Sequence, residues 1–187
     1  MARSAKSESA DEREARRRIA QAQIRQFPDP VLRSETHPVE DFDDDLRALA
    51  ARMCELAEDA VGAGLAAPQI GLLRRFAVVS LDDDEGWIAM ANPEITASSE
   101  ETEVGGEGCL SLDLLLREGH SVPVARATRI TVRWQDLDGA WQERELVDLP
   151  ARIIQHEVDH LDGVLTLDRA EPEARREAMR LLREGTR

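Results

Sequence analysis

Apolar residues at positions 46, 49, 50, 53, 57, 60 and 61 recur with a helical period. Asp43, Asp44 and Asp45 precede them and put negative charge at the positive end of the predicted helix. Cys54 lies beside that stripe and reads as a small buried hydrophobe. A short apolar run from Arg75 to Leu81 predicts a strand. An acidic turn at 82–86 follows, and Trp87 to Met90 pairs back as a hairpin. Ile95 to Val104 alternates weakly and reads as an edge strand. Leu112 to Ser121 reads as an apolar loop or single helical turn, with His120 exposed in it. Val122 to Trp134 and Trp141 to Val147 read as strands joined at Asp138-Gly139. Leu149-Pro150 then opens a helix with Ile153, Ile154 and Leu161 on its buried side, and Gly163 ends it. A last helix runs from Glu171-Pro172-Glu173 to about Glu184. Phe27-Pro28-Asp29-Pro30 and Thr36-His37-Pro38 are turns, with His37 a plain loop residue.

Residues 1–18 are small, polar and charged. They read as a disordered extension, with at most a nascent helix from Asp11, ahead of a single domain over 19–187. Hydrophobic residues make up 42% of the chain, but aromatics only 3% with no tyrosine, so the core has to be aliphatic. The formal charge of −14 argues against a general DNA-binding or anionic-membrane surface. No apolar run approaches the roughly 20 residues of a spanning helix. The N-terminus lacks the apolar segment of a secretory signal, and its acidic residues speak against a transit peptide. Two cysteines far apart fit a reducing compartment without a disulfide. Together these features predict a cytoplasmic protein.

The chemistry centres on Gln155-His156-Glu157-Val158-Asp159-His160, an HExxH pattern. On a helix, His156 and His160 share one face and can each give a ring nitrogen to one metal ion. Glu157, one position round, can touch a water on that metal. A third ligand decides what the pattern means. The longer zinc-protease pattern needs a histidine at 166, where this chain has Thr166. Glu173 and Glu177 are available downstream but carry no supporting motif. Cys109, in Glu107-Gly108-Cys109-Leu110-Ser111, is the strong upstream candidate. A thiolate with two imidazoles suits a divalent transition metal and leaves a fourth position open. The stretch Gly62 to Gly71 (GAGLAAPQIG) is not a phosphate loop, because no lysine follows. Its glycines let backbone approach a ligand closely, and Gln69 is its one side chain able to donate into a site. A tight turn with an exposed glutamine is the alternative, and the pattern alone leaves both open.

Taken together, GAGLAAPQIG (62–71), EGCLS (107–111) and QHEVDHLDG (155–163) resemble the peptide deformylases, in that family's order. FPDPVLR (27–33) and NPEI (92–95) match more weakly, and the likeness spans roughly Ile24 to Arg169. The resemblance implies an α+β fold with antiparallel β-sheets around a central HExxH helix, plus an N-terminal and a C-terminal helix. It implies removal of the formyl group from the N-terminal methionine of new polypeptides. It implies Cys109, His156 and His160 as ligands of one divalent metal, Fe²⁺ in the cell with Zn²⁺ often replacing it in air. Glu157 would be the general acid/base, and Gln69 with the backbone N–H of Leu110 would hold the oxyanion.

In that chemistry Glu157 takes a proton from water, the hydroxide attacks the formyl carbon, and Glu157 returns the proton to the leaving amine. Each preorganised oxyanion donor is typically worth about 3–4 kcal/mol. The formylmethionyl peptide would lie extended against Ala63-Gly64 and Gly108 as an added strand, with Ala63 and Ile153 walling the methionine pocket. The chain departs from the family after EGCLS. There it carries Leu112-Asp113-Leu114-Leu115-Leu116, and the matching arginine comes late, at Arg126, where it would pair with Glu107 and orient the loop. That enlarged loop borders the groove and bears on substrate choice. The same chemistry on another N-formyl compound, an HExxH zinc peptidase and a silent binding module are the alternatives. From Arg169 onward, six arginines face four glutamates, so the last helix is a candidate for a weak ribosome contact.

Overall fold

The computed structural model describes residues 9–81 and 86–185. The acidic turn expected at 82–86 therefore lies almost entirely outside the described residues. So do residues 1–8 of the expected extension. The rest of that extension is ordered. Helix α1 (Ala10–Gln21) opens on a capping box in which Glu12 N–H donates to Ser9 Oγ at 3.2 Å and Ser9 N–H donates to Glu12 Oε2 at 2.8 Å. Tertiary contact holds it: Ala20 and Gln21 are buried, and Arg16 pairs with Asp59 at 2.8 Å.

Helix α2 (Asp44–Asp59) buries Leu46, Ala50, Met53, Leu56 and Ala57, and Asp43 Oδ1 caps it through the Leu46 N–H at 3.0 Å. Val61, expected on the buried stripe, lies beyond the helix end with φ 61° and is 77% exposed. The chain then builds β1 (Gly64–Ala66), a 3-10 turn (Ala67–Ile70), β2 (Phe76–Ser80) and β3 (Trp87–Ser98). The hairpin of β2 and β3 forms as expected. The separate edge strand expected from Ile95 does not: β3 runs unbroken past it, with register shifts between Ala91 and Glu94 and between Ile95 and Ala97. Asn92 carries the kink at φ 52°, and its side chain bonds both N–H and C=O of Val39 at 2.8 Å. Pro93 sits in the irregular stretch, where its missing N–H breaks no ladder.

Strand β4 (Thr102–Glu107) leads through a 3-10 turn (Leu110–Leu112) into α3 (Asp113–Arg117), the helical-turn option of the expected loop or single turn. The single strand expected over 122–134 is two: β5 (Val122–Ala127) and β6 (Arg129–Gln135) part at Thr128 and enter different sheets. β7 (Trp141–Val147) closes the hairpin with β6. The large sheet has the antiparallel order β1-β2-β3-β6-β7, and β4 pairs only with β5.

Helix α4 (Asp148–Leu161) carries the HExxH pattern and packs among both sheets. On one side, Ala151, Ile154 and Val158 join Val79, Met90, Ile130, Val132 and Trp134 in one core cluster. Leu161 packs with Ala66 and Ala77. The polar residues Glu157, Asp159 and His160 are buried as well, so each needs a partner inside the protein. Gly163 ends the helix at φ 70°, and a Cβ there would lie 2.8 Å from the Arg33 carbonyl oxygen, so only glycine fits. Helices α5 (Thr166–Arg169) and α6 (Pro172–Glu184) follow. They cover a third cluster in which Leu112, Leu115, Val122, Val124, Leu167 and Ala178 surround Cys109. No helix among the described residues is long and apolar enough to cross a membrane.

Candidate metal centre and active site

One turn of α4 separates His156 from His160, and their rings meet edge to face with centroids 4.9 Å apart. Cys109 arrives from the other sheet, in extended backbone between β4 and the 3-10 turn. Its Sγ lies 3.2 Å from His160 Nε2. One donor atom from each of Cys109, His156 and His160 falls within 4.8 Å of the others. This is the only such cluster among the described residues that joins a thiol to imidazoles. Burial alone would raise the Cys109 thiol, but His160 and His156 beside it hold it well below the usual thiol range. Burial works against a charged His156 ring too, yet Cys109 and Glu107 push that ring well above its ordinary value. A soft thiolate and two imidazoles are the donor set of a divalent transition metal, and the geometry fits one.

Glu107, the last residue of β4, orients His156 by accepting from its Nδ1 at 2.9 Å. Arg126 holds the same carboxylate bidentately, Nε to Oε1 at 2.8 Å and Nη2 to Oε2 at 2.9 Å. Burial would raise the Glu107 carboxyl, but Arg126 and His156 bring it down to about 2. Strand periodicity explains the arginine's position: Val122, Val124 and Arg126 all point to the buried side of β5. Arg126 also donates to Asp159 Oδ2, and Arg169 reaches Asp159 from outside at 2.6 and 3.0 Å. Asp159 fills a variable position of HExxH, so its part in this network had no sequence signal.

Glu157 is buried, and burial raises its carboxyl although His156 and His160 oppose the shift. Its Oε2 has no hydrogen-bond partner among the described residues. Gly64 makes room for it, since a Cβ there would lie 2.4 Å from Glu157 Oε1. Gln69 is 2% exposed, which excludes the exposed-turn alternative. Its Oε1 accepts from the Ala66 N–H at 2.8 Å, which turns Nε2 toward Cys109 Sγ at 3.9 Å and Ser111 Oγ at 3.2 Å. Leu110 follows Cys109 directly, and its carbonyl is held by Gln21 and Gln26.

A cleft of about 230 Å³ opens beside these groups. Ala63, Gly64, Gly108, Leu110, Ile153, His156, Glu157 and Gln69 all line it, with Leu116 of the loop expected to border the groove, and so do Val61, Leu149 and Arg152, which pattern reading did not place there. Leu116 comes from α3 and packs on Gly108, where a Cβ would meet it at 2.6 Å. The enlarged loop therefore walls the cleft. The remaining candidate ligands lie elsewhere. Cys54 packs against the core of α2, His120 faces Glu118, and Glu177 is bonded to Arg180 on the surface of α6.

A family model described as polypeptide deformylase matches residues 21–176. The chain belongs to the polypeptide deformylase family. A peptide deformylase of Thermotoga neapolitana is 45% identical over 152 residues, covering 81% of this chain and 88% of that protein. One of Acidothermus cellulolyticus is 46% identical over 162 residues, 87% of this chain and 86% of that protein. The crystal structure of a peptide deformylase from Legionella pneumophila superposes with a TM-score of 0.78 at 38% identity, covering 87% of this chain and 94% of that one. Peptide deformylases are metal-dependent hydrolases, and membership sets aside the zinc-peptidase and silent-module readings. The mixed fold of helices and antiparallel sheets is theirs too.

Proposed function

We propose that this chain hydrolyses the formyl amide at the N-terminal methionine of nascent polypeptides, releasing formate and a free amine. The carrying observation is the meeting of Cys109, His156 and His160 beside a buried Glu157 whose carboxyl burial raises above its ordinary range. Those three residues would hold one divalent ion, which would supply an acidified water and a polarised formyl carbonyl. Glu157 takes the proton from the attacking water and delivers it to the departing nitrogen, a task its burial-raised pKa suits. Gln69 Nε2 and the Leu110 N–H receive the negative charge that develops on the formyl oxygen. Gln69 is ready for this because its own carbonyl is occupied by Ala66.

The peptide lies between two strand edges, Ala63-Gly64 at the start of β1 and Gly106 to Gly108 at the end of β4. Both line the cleft, and neither is covered there by a further strand among the described residues. Ala63, Ile153 and Leu116 contact the methionine side chain. The family resemblance implies Fe²⁺ as the working metal in the cell and Zn²⁺ as its replacement in air; the donor set itself accepts several divalent ions. The cell compartment is the cytoplasm, where formylated chains emerge. A weak ribosome contact through α6 belongs to the same reading. Deleting residues 172–187 tests it without removing Arg169 from Asp159, and equal co-sedimentation with ribosomes eliminates it.

The decisive test is formate release from a formyl-methionyl tripeptide by protein prepared without oxygen, with metal content measured on the same sample. Glu157→Gln should lower kcat by about 10²- to 10⁴-fold with the metal retained. Cys109→Ala should lose the metal. Full metal occupancy with no turnover on the tripeptide, but turnover on another formylated compound, would move the substrate assignment to that compound.

A further inference from the structure

Arg152 stands one helical turn before His156 on the same face of α4, and both side chains reach Glu107. Arg152 Nη1 donates to Glu107 Oε1 at 3.0 Å and to the Val124 carbonyl at 2.9 Å. Its Nη2 donates to the Glu103 carbonyl at 2.7 Å. Glu107 thus accepts two bonds on each oxygen: Oε1 from Arg126 and Arg152, Oε2 from Arg126 and His156. A carboxylate offers about four acceptor sites, and here all are used. The two arginines tie it to different frames. Arg126 belongs to β5, so its fork relates Glu107 to the small sheet. Arg152 belongs to α4 and relates Glu107 to the helix that carries the imidazole.

We propose that Arg152 is a positioning residue for the metal centre, setting through Glu107 the aim of the His156 ring. This rests on the reading of Cys109, His156 and His160 as the ligand set. Without Arg152 the carboxylate can turn with β5 relative to α4, and the ring it holds turns with it. The side chain is 14% exposed, so its bonds form where water competes poorly. Gly105 is part of the device. A Cβ there would lie 2.9 Å from Arg152 Cζ and Nη2, so the guanidinium lies flat on backbone that a side chain would displace.

Competitive zinc titration and the visible spectrum of the cobalt(II)-substituted protein test the assignment. Loss of an outer partner of a ligating histidine typically weakens metal binding by about 10- to 100-fold, and Arg152→Met should do so. It should also shift the cobalt bands, which report the aim of the ring and not the stability of the fold. Arg152→Lys should recover part of the affinity, because an ammonium can still donate to Glu107. Gly105→Ala, which leaves Arg152 in the sequence but pushes it aside, should shift the bands in the same direction with a smaller loss. It carries the test if Arg152→Met does not fold. Zinc affinity and cobalt spectrum equal to wild type in Arg152→Met, or in Gly105→Ala if the former is unfolded, overturn the proposal and leave the ligand set standing. A wild-type chain that binds zinc no better than Cys109→Ala overturns the ligand set, and this proposal with it.

Discussion

Two groups of ion pairs with nearly the same separations sit in opposite surroundings. Beside α4, Arg126 joins Glu107 and Asp159 at 2.8 and 2.5 Å, with side chains 4–8% exposed. On α6, Arg180 joins Glu177 and Glu184 at 2.6 and 2.5 Å, with side chains 51–59% exposed. Distance alone would rank them equal. Burial separates them, because a charge stripped of water depends on its protein partners while an exposed one exchanges them for solvent at little cost. The buried group therefore sets geometry, holding the Cys109 segment, α4 and the end of α5 in one arrangement. The exposed group supports only its own helix.

Breaking the buried group should have the largest effect. Arg126→Met leaves Glu107 and Asp159 short of a partner each and should destabilise the protein by about 3–5 kcal/mol in urea unfolding. A cost near zero would mean the network is not a fastening. Acid comes next. The folded Glu107 value of about 2 lies below its ordinary 4.5, so its contribution is complete above the unfolded value and drains as pH falls from there through about 2. A displacement of that size corresponds to about 3 kcal/mol. Unfolding of metal-free protein should show this loss below pH 4.5, and Glu107→Gln should flatten it.

Arg169 sharpens the comparison, since it is half exposed yet reaches the same Asp159. Arg169→Ala should cost about 1 kcal/mol or less in the same unfolding measurement. A loss as large as that of Arg126→Met would show that Asp159 is fastened from outside. Arg180→Ala should leave the Tm and the formate-release rate unchanged within error. Any clear fall in either would mean that α6 matters to the site beyond its own surface.

Much of the site was legible because its residues carry chemistry in short, spaced patterns. His156, Glu157 and His160 are adjacent on one helix, and Cys109 and Gln69 stand in glycine-marked segments. Helix α2 was legible from period and charge, and α6 from the proline between two glutamates at its start. The misses have common causes. The Ser9–Glu12 capping box was present in the sequence, but polar composition outweighed it until burial of Ala20 and Gln21 held the helix. The apolar run 122–134 looks continuous because β5 and β6 are both half buried, and nothing local says that they enter different sheets. Val61 matched the helical period yet lies past the helix end, where it meets solvent at the rim of the cleft. Arg152 carried no signal in the sequence, because its three acceptors come from β4 and β5.

The sequence by itself determined the donor types, their order along the chain and the helical spacing that puts two imidazoles on one face, since those follow from local covalent geometry. Only the tertiary structure decided which acids are buried, which arginines reach them, and which residue of α3 packs on Gly108. Those outcomes depend on distant segments excluding water from the same place, and no local pattern encodes that.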